Sequence, residues 1–291
     1  MWDYGKILLL VKETALEQAG SIEALRARKN YREKDIESAI RGDAAHHATL
    51  AQVRHDLDSL GLVYDEVNRS DLRSVKGYGF IVTNGGDGTF LLACQHLQNK
   101  KRRSVPVLGV NSDTDQSVGF FSSATINTFG EIMEAIDTFP RSYLSRLEIS
   151  INDHILPQRA LNEVIFWNEN IGNTLCYIRE NGIEERVKEG YMVIATTPAG
   201  STAGFRNLGG PLVSLDEKRI AYGINGCTYG KDPFGFADTL SIEPLKGTGR
   251  LTIDGATTYP VTSSDKISIR YGSRITMIGS LEENRKAHGF A

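Results

Sequence analysis

A change of pattern near Phe139-Pro140 restricts the fold most. Before it, apolar runs alternate with charged helical stretches; after it, short alternating segments follow one another between Asn, Asp and Gly turns. Strands separated by helices pair in parallel, because each crossover returns the chain to the same end of the sheet. Residues 6–11, 62–67, 79–83 and 105–111 therefore read as strands of a doubly wound, mainly parallel α/β sheet. Helical segments are expected over 14–28, 31–40 and 44–60, with Gly61 as the last one's C-terminal cap. Residues 147–151, 159–167, 174–179, 191–195, 240–243, 249–253 and 266–270 read as strands of an antiparallel, sandwich-like all-β domain.

A chain of 291 residues exceeds the size at which one core keeps growing. The division expected is 1–139, with a helical insertion at about 14–51, then 140–279, with 280–291 a tail returning to the first domain. A net charge of −3 gives no sign of nucleic acid or an anionic membrane as the main partner. No run approaches the roughly 18 apolar residues of a membrane span. The first strand starts so early that no targeting segment is expected ahead of it. Cys94, Cys176 and Cys227 are widely spaced without a Cys-x-x-Cys pair, which points to a reducing cytoplasm rather than a disulfide framework or structural zinc. His46 and His47 are neighbours on a helix, so they point apart and are not expected to share a metal.

Residues 80–92 run from an apolar strand through Gly85-Gly86-Asp87-Gly88-Thr89 into an apolar helix. Gly85, Gly86 and Gly88 can take positive φ and leave room for a ligand to approach the backbone, so that several N–H groups can point at one anion. A helix starting near Thr89 would add its partial positive end. Asp87 repels phosphate unless a metal or a transferable proton involves it. Asn111 also stands at the carboxyl end of a parallel strand, where ligands of such sheets bind. The loop alone reads equally as a phosphate site or a plain strand-to-helix turn; it matches neither the P-loop nor Gly-x-Gly-x-x-Gly. Asn162-Glu163, and the hydroxyl- and glycine-rich 196–204 with Gly209-Gly210-Pro211, each read as a strand-edge or surface turn when taken singly.

Taken in order, the three clusters resemble the NAD kinase family, within the superfamily of diacylglycerol and sphingosine kinases. The matching elements are Gly85 to Thr89, Asn162-Glu163, and Thr197-Pro198-Ala199-Gly200-Ser201-Thr202-Ala203 with Gly209-Gly210-Pro211. The likeness spans about 6–261 and is nearest the mitochondrial-type branch, on the long insertion, on 106–114 and on Ser117-Val118-Gly119-Phe120. The absence of a leader suggests an untargeted, cytoplasmic member. The resemblance implies ATP-dependent phosphorylation of the adenosine-ribose 2′-hydroxyl of NAD, with Mg²⁺ and a homo-oligomer, dimer or tetramer.

In that picture Asp87 is the base. Gly85, Gly86, Gly88, Thr89 and Asn111 hold ATP phosphates, and no side-chain motif for the metal is evident. Asn162, Glu163, Glu189, Thr197, Gly200, Ser201, Thr202, Ala203 and Asp254 line the NAD pocket. The alternatives are a kinase of the same superfamily acting on a lipid or another nucleoside, and a non-catalytic dinucleotide-binding protein. The default site is a cleft between the two domains. Three departures bear on substrate choice: Lys188-Glu189-Gly190 stands where the family carries Gly-Asp-Gly, Gly204 stands where an aromatic residue usually stacks, and 226–236 is unlike the usual segment.

Overall fold

The computed structural model describes residues 3–97, 105–169, 174–182, 184–226 and 233–290, the side chains of 184–188 excepted. The chain divides into two compact units, Met1–Tyr143 with Thr276–Gly289, and Leu144–Ile275. Among the described residues no helix is long and apolar enough to cross a membrane.

The first unit contains β1 (Ile7–Val11), α1 (Ala15–Ala19), α2 (Ile22–Arg26), α3 (Glu33–Ser59), β2 (Tyr64–Asn68), β3 (Phe80–Gly85), α4 (Asp87–His96), β4 (Pro106–Asn111), β5 (Ser122–Ala124), α5 (Phe129–Glu134) and β6 (Arg141–Leu144). Every residue of β1, β3 and β4 is buried. Such continuous apolar runs belong to strands covered on both faces. The sheet order is β2-β1-β3-β4, continuing through Ile275–Ile278 to β6, with β5 beside β4. Pairing is parallel along β2-β1-β3-β4, and the register sets Val11 opposite both Asn68 and Asn84, and Gly85 opposite Asn111. Lys12, Arg69, Gly86 and Ser112 therefore all leave the sheet at its carboxyl edge.

Three helical expectations change. Residues 14–28 form two short helices, because Gly20 adopts φ +80 and closes α1. Residues 31–40 and 44–60 join as α3, which runs through Gly42. A Cβ on Gly42 would meet Asp113 Oδ2 at 2.7 Å, so this helical glycine admits close packing where it would otherwise weaken the helix. Gly61, at φ +65, follows α3 as expected.

The second unit contains β7 (Leu147–Ile151), β8 (His154–Ala160), β9 (Glu163–Asn168), β10 (Thr174–Glu180), β11 (Glu184–Gly190), β12 (Met192–Thr196), α6 (Gly204–Asn207), β13 (Ile220–Asn225), β14 (Phe234–Ala237), β15 (Thr239–Pro244), β16 (Thr248–Ile253), β17 (Thr257–Thr262) and β18 (Ile267–Tyr271). Two antiparallel sheets result, ordered β11-β10-β15-β18-β7-β8 and β14-β13-β12-β9-β16-β17. Alternate residues of both, among them Ile149, Ile178, Ile242 and Ile269 from one and Val164, Phe166, Val193 and Leu251 from the other, make one apolar core. The single strand expected over 159–167 is two, broken at Leu161-Asn162. The chain closes with β19 (Ile275–Ile278), which pairs parallel to β4, and α7 (Leu281–Ala287); both belong to the first unit.

Candidate active site

In the first unit β3 ends at Gly85 and α4 begins at Asp87, two residues ahead of the expected start. Gly86 is its N-cap and offers no side chain, so the first amides of α4 keep their donors. The positive φ open to Gly85, Gly86 and Gly88 is not used at any of them. Two of these glycines answer to crowding instead. A Cβ on Gly85 would sit 2.5 Å from Thr89 Oγ1 and 3.2 Å from Lys12 Cβ, and one on Gly86 would sit 2.7 Å from Ser117 Oγ. Gly88 has room, with Arg69 Nη1 3.9 Å from such an atom.

Asp87 is half-buried and accepts the backbone N–H groups of Phe120 (3.0 Å) and Phe121 (2.8 Å). A carboxylate has about four lone-pair sites, so capacity for a proton remains. The segment that supplies these donors is held by Asn111, whose Nδ2 donates to Ser117 O at 2.9 Å and whose Oδ1 accepts from Asp113 N at 3.3 Å. Here a glycine does need left-handed backbone: Gly119 has φ +63 and lies against the Asn111 amide. Asn111 is thus engaged in shaping the loop around Asp87. Thr89 is 1% exposed, and its buried Oγ1 has no partner.

Sequence reasoning missed the residues beneath this loop. His46 on α3 is fully buried, with Nδ1 2.9 Å from Ser112 Oγ and 3.4 Å from Asn84 Nδ2. Burial, then the Lys12 charge, pushes its pKa down to about 4, so it is neutral near pH 7. The His47 ring meets that of His46 edge-on, centroids 5.5 Å apart, and its Nε2 lies 3.3 Å from Glu17 and 3.7 Å from Asp43. Lys12 and Arg69 were overlooked too, although each directly follows a parallel strand and could have been found by that rule.

In the second unit the break between β8 and β9 is fixed by Asp254. Its carboxylate accepts the N–H groups of Leu161 (2.8 Å), Asn162 (2.8 Å) and Glu163 (2.9 Å). Asp254 stands at φ +46 in the turn between β16 and β17, as the hairpin reading expects. Its role is to position the Asn162-Glu163 turn.

Asn162 O accepts from Thr197 N (3.0 Å) and Thr196 Oγ1 (2.8 Å), while Thr197 Oγ1 donates to Leu161 O and accepts from Gly200 N at 3.1 Å. Gly200 packs so tightly that a Cβ would lie 2.2 Å from Asn162 O. Ser201 is fully buried and bridges Pro198 O (2.8 Å) and Val213 N (3.0 Å), Thr202 Oγ1 reaches Ala199 O at 3.4 Å, and Ala203 N closes the turn on Gly200 O at 2.9 Å. Ser201 is therefore spent on loop structure.

Glu163 fills the space left by Gly204, where a Cβ would lie 2.7 Å from Glu163 Oε1. The glycine that stands in place of an aromatic residue thus makes room for a carboxylate. Burial, and after it the Asp254 charge, raises the Glu163 pKa to about 7 against a hydrogen bond from the Gly204 backbone. Asn162 Oδ1 and Glu163 Oε2 are buried without partners. Two such oxygens on one turn are acceptors suited to adjacent hydroxyl groups. Glu189 pairs with Leu175 on β11, at the edge of the sheet that does not contain β9. Residues 227–232 of the divergent segment, with Cys227, lie outside the described residues.

Residues 16–138 match the family model described as the ATP-NAD kinase N-terminal domain. A probable NADH kinase of Oryza sativa subsp. japonica is 28% identical over 213 residues, 62% of this chain and 61% of that protein. An NAD kinase of Borreliella burgdorferi is 26% identical over 148 residues, 47% of this chain and 50% of that protein. The chain thus spans between half and three-fifths of the length of these relatives. A crystal structure of an NAD kinase from Archaeoglobus fulgidus in complex with ATP superposes with a TM-score of 0.72 at 17% identity, covering 98% of each chain, and establishes the shared fold.

Proposed function

We propose that this chain, whose residues 16–138 match the ATP-NAD kinase N-terminal domain, phosphorylates the adenosine-ribose 2′-hydroxyl of NAD with ATP, giving NADP. The observation that carries the reading is the Asn162-Glu163 turn, with two buried acceptor oxygens on a backbone fixed by Asp254. A ribose diol presents two hydroxyl donors of matching kind. A site that pairs both rejects an analogue lacking one, since a buried acceptor is then left without a partner.

The first unit has phosphate-handling features of its own. Gly85, Gly86 and Gly88 bring backbone close to phosphate, and the uncapped start of α4 offers N–H donors. Asp87 takes the proton of the attacking hydroxyl, its orientation set by the Phe120 and Phe121 amides. Transfer of a phosphoryl group is mostly positioning and neutralisation of charge, which suits a cradle of amides. Thr197, Gly200, Ser201, Thr202 and Ala203 shape the nucleotide pocket, and Glu189 contributes from its own strand.

Mg²⁺ accompanies the ATP phosphates and neutralises their charge when bound. The donor set around the loop fits a cation held mainly by phosphate, since the grouping of Glu17, Asp43 and His47 within ligand distance lies on the helical insertion. A cytoplasmic setting and a homo-oligomer complete the reading, and sedimentation tests the second. The decisive assay incubates the purified chain with Mg-ATP and NAD and detects NADP with an NADP-specific dehydrogenase. Folded protein that makes no NADP overturns the proposal, as does turnover of a 2′-deoxy analogue.

A further inference from the structure

Two cations meet at the carboxyl edge of the parallel sheet. Lys12 follows β1 and Arg69 follows β2, while the glycine loop follows β3; the order β2-β1-β3 makes the three exits neighbours. Lys12 is tied to the loop through its backbone N–H, which donates to Asn84 O at 3.1 Å, and its Cβ would lie 3.2 Å from a Cβ on Gly85. Arg69 Nη1 stands 3.9 Å from where a Cβ on Gly88 would be. The two side chains thus approach the loop at either end of Asp87.

Among the described residues, neither the Lys12 ammonium nor the Arg69 guanidinium has a hydrogen-bond or ion-pair partner. Asp113, Asp43 and Glu17 act on Lys12 only at longer range. Burial lowers the Lys12 pKa, and Arg69 adds to that shift. Like charges half-buried side by side are unfavourable alone, and a multivalent anion removes the cost. A third, independent observation is the partnerless Oγ1 of Thr89, 1% exposed and 2.5 Å from the Cβ position of Gly85.

We propose that Lys12 and Arg69, with the Thr89 hydroxyl, form a clamp for a chain of phosphates, the triphosphate of the phosphoryl donor. This assignment of donor rests on the kinase reading; the anion chemistry does not. Lys serves as a point charge and Arg as a two-pronged donor, so together they neutralise more than one phosphate. A nucleoside triphosphate and inorganic tripolyphosphate share the chemistry, and the test separates them.

The full chain and its Lys12→Met, Arg69→Gln and doubly substituted variants are compared in two ways. Thermal unfolding is followed with no ligand, with inorganic tripolyphosphate and with Mg-ATP, and the KM values for ATP and NAD are measured separately. The expected result is a KM for ATP raised roughly ten- to hundredfold in each single variant, with the KM for NAD changed by less than about twofold. The upward shift of the unfolding midpoint by polyphosphate disappears in the double variant. Without ligand, Lys12→Met melts at or above the wild-type temperature, because a repulsion has been removed; a purely structural role lowers it. Lys12→Arg restores most of the ATP affinity. Unchanged KM for ATP, or equal increases for both substrates, overturns the clamp. If the wild-type chain makes no NADP yet a variant-sensitive shift persists with tripolyphosphate, the clamp stands and the kinase reading falls. A variant-sensitive shift with Mg-ATP alone keeps the clamp and assigns it to the nucleotide.

Discussion

Asp87 and Glu163 are both carboxylates, and their surroundings give them different work. Asp87 is turned by two backbone donors and half-exposed, which suits the base role proposed for it. Asp87→Asn keeps the shape and loses the basicity; turnover should fall by about 10²- to 10⁴-fold while NAD binding, measured by calorimetry, stays close to wild type. An active variant removes Asp87 from that role. Glu163 instead faces Asp254 and the Gly204 amide, with one oxygen buried and without a partner, and its pKa is about 7. Between the ordinary carboxyl value of 4.5 and that figure, the folded chain holds a proton that the unfolded chain has released. The stabilisation is complete below the lower value and lost as pH rises through the upper one. Unfolding free energies from urea denaturation should therefore fall from about pH 5 to 8 in the wild type relative to Glu163→Gln, by at most about 2–3 kcal/mol. Parallel pH profiles for the two proteins contradict this origin of the slope.

At the scale of elements, β1 to β4 and the strands β7, β9, β10, β12, β15, β16 and β18 were legible because their periodicity is local, buried runs for parallel strands and alternation for antiparallel ones, whereas β5, β6, β11, β13, β14, β17 and β19 were not singled out. What the sequence concealed was contact between distant segments. Gly85 and Gly86 are small because Lys12 and Ser117 crowd them, and Gly42 sits inside α3 because Asp113 packs there. No window around those glycines reports such neighbours, which is why turn conformations were expected. The break between β8 and β9 was hidden for the same reason, since Asp254 lies more than ninety positions away (|i−j| of 91 to 93). The 197–203 segment was legible as a motif, yet Ser201 proves to be internal to its turn. Gly200 gives the direct check of this packing. Its Cβ would meet the backbone of Asn162, at 2.2 Å from O and 2.5 Å from C, and backbone cannot swing aside. Gly200→Ala should cost about 1–3 kcal/mol by urea denaturation and raise the KM for NAD, whereas Gly88→Ala, in open space, should do neither. Equal effects at the two positions remove close packing as the explanation.

For the whole molecule, sequence order and spatial order diverge. The parallel sheet of the first unit takes its strand β19 from the end of the chain, where Ile275, Met277 and Ile278 are fully buried. The second unit is therefore an insertion in the first. The family match at 16–138 falls within the first unit, while the Asn162-Glu163 turn and the 197–203 loop lie in the second. The Asp254 clamp carries a consequence for biosynthesis. A nascent chain that has exposed residues 161–163 still lacks the side chain that shapes them, and the ribosome must add some ninety more residues before the turn can close. Contacts of such long separation form late. An incomplete polypeptide therefore holds Asn162 and Glu163 on an unfixed backbone.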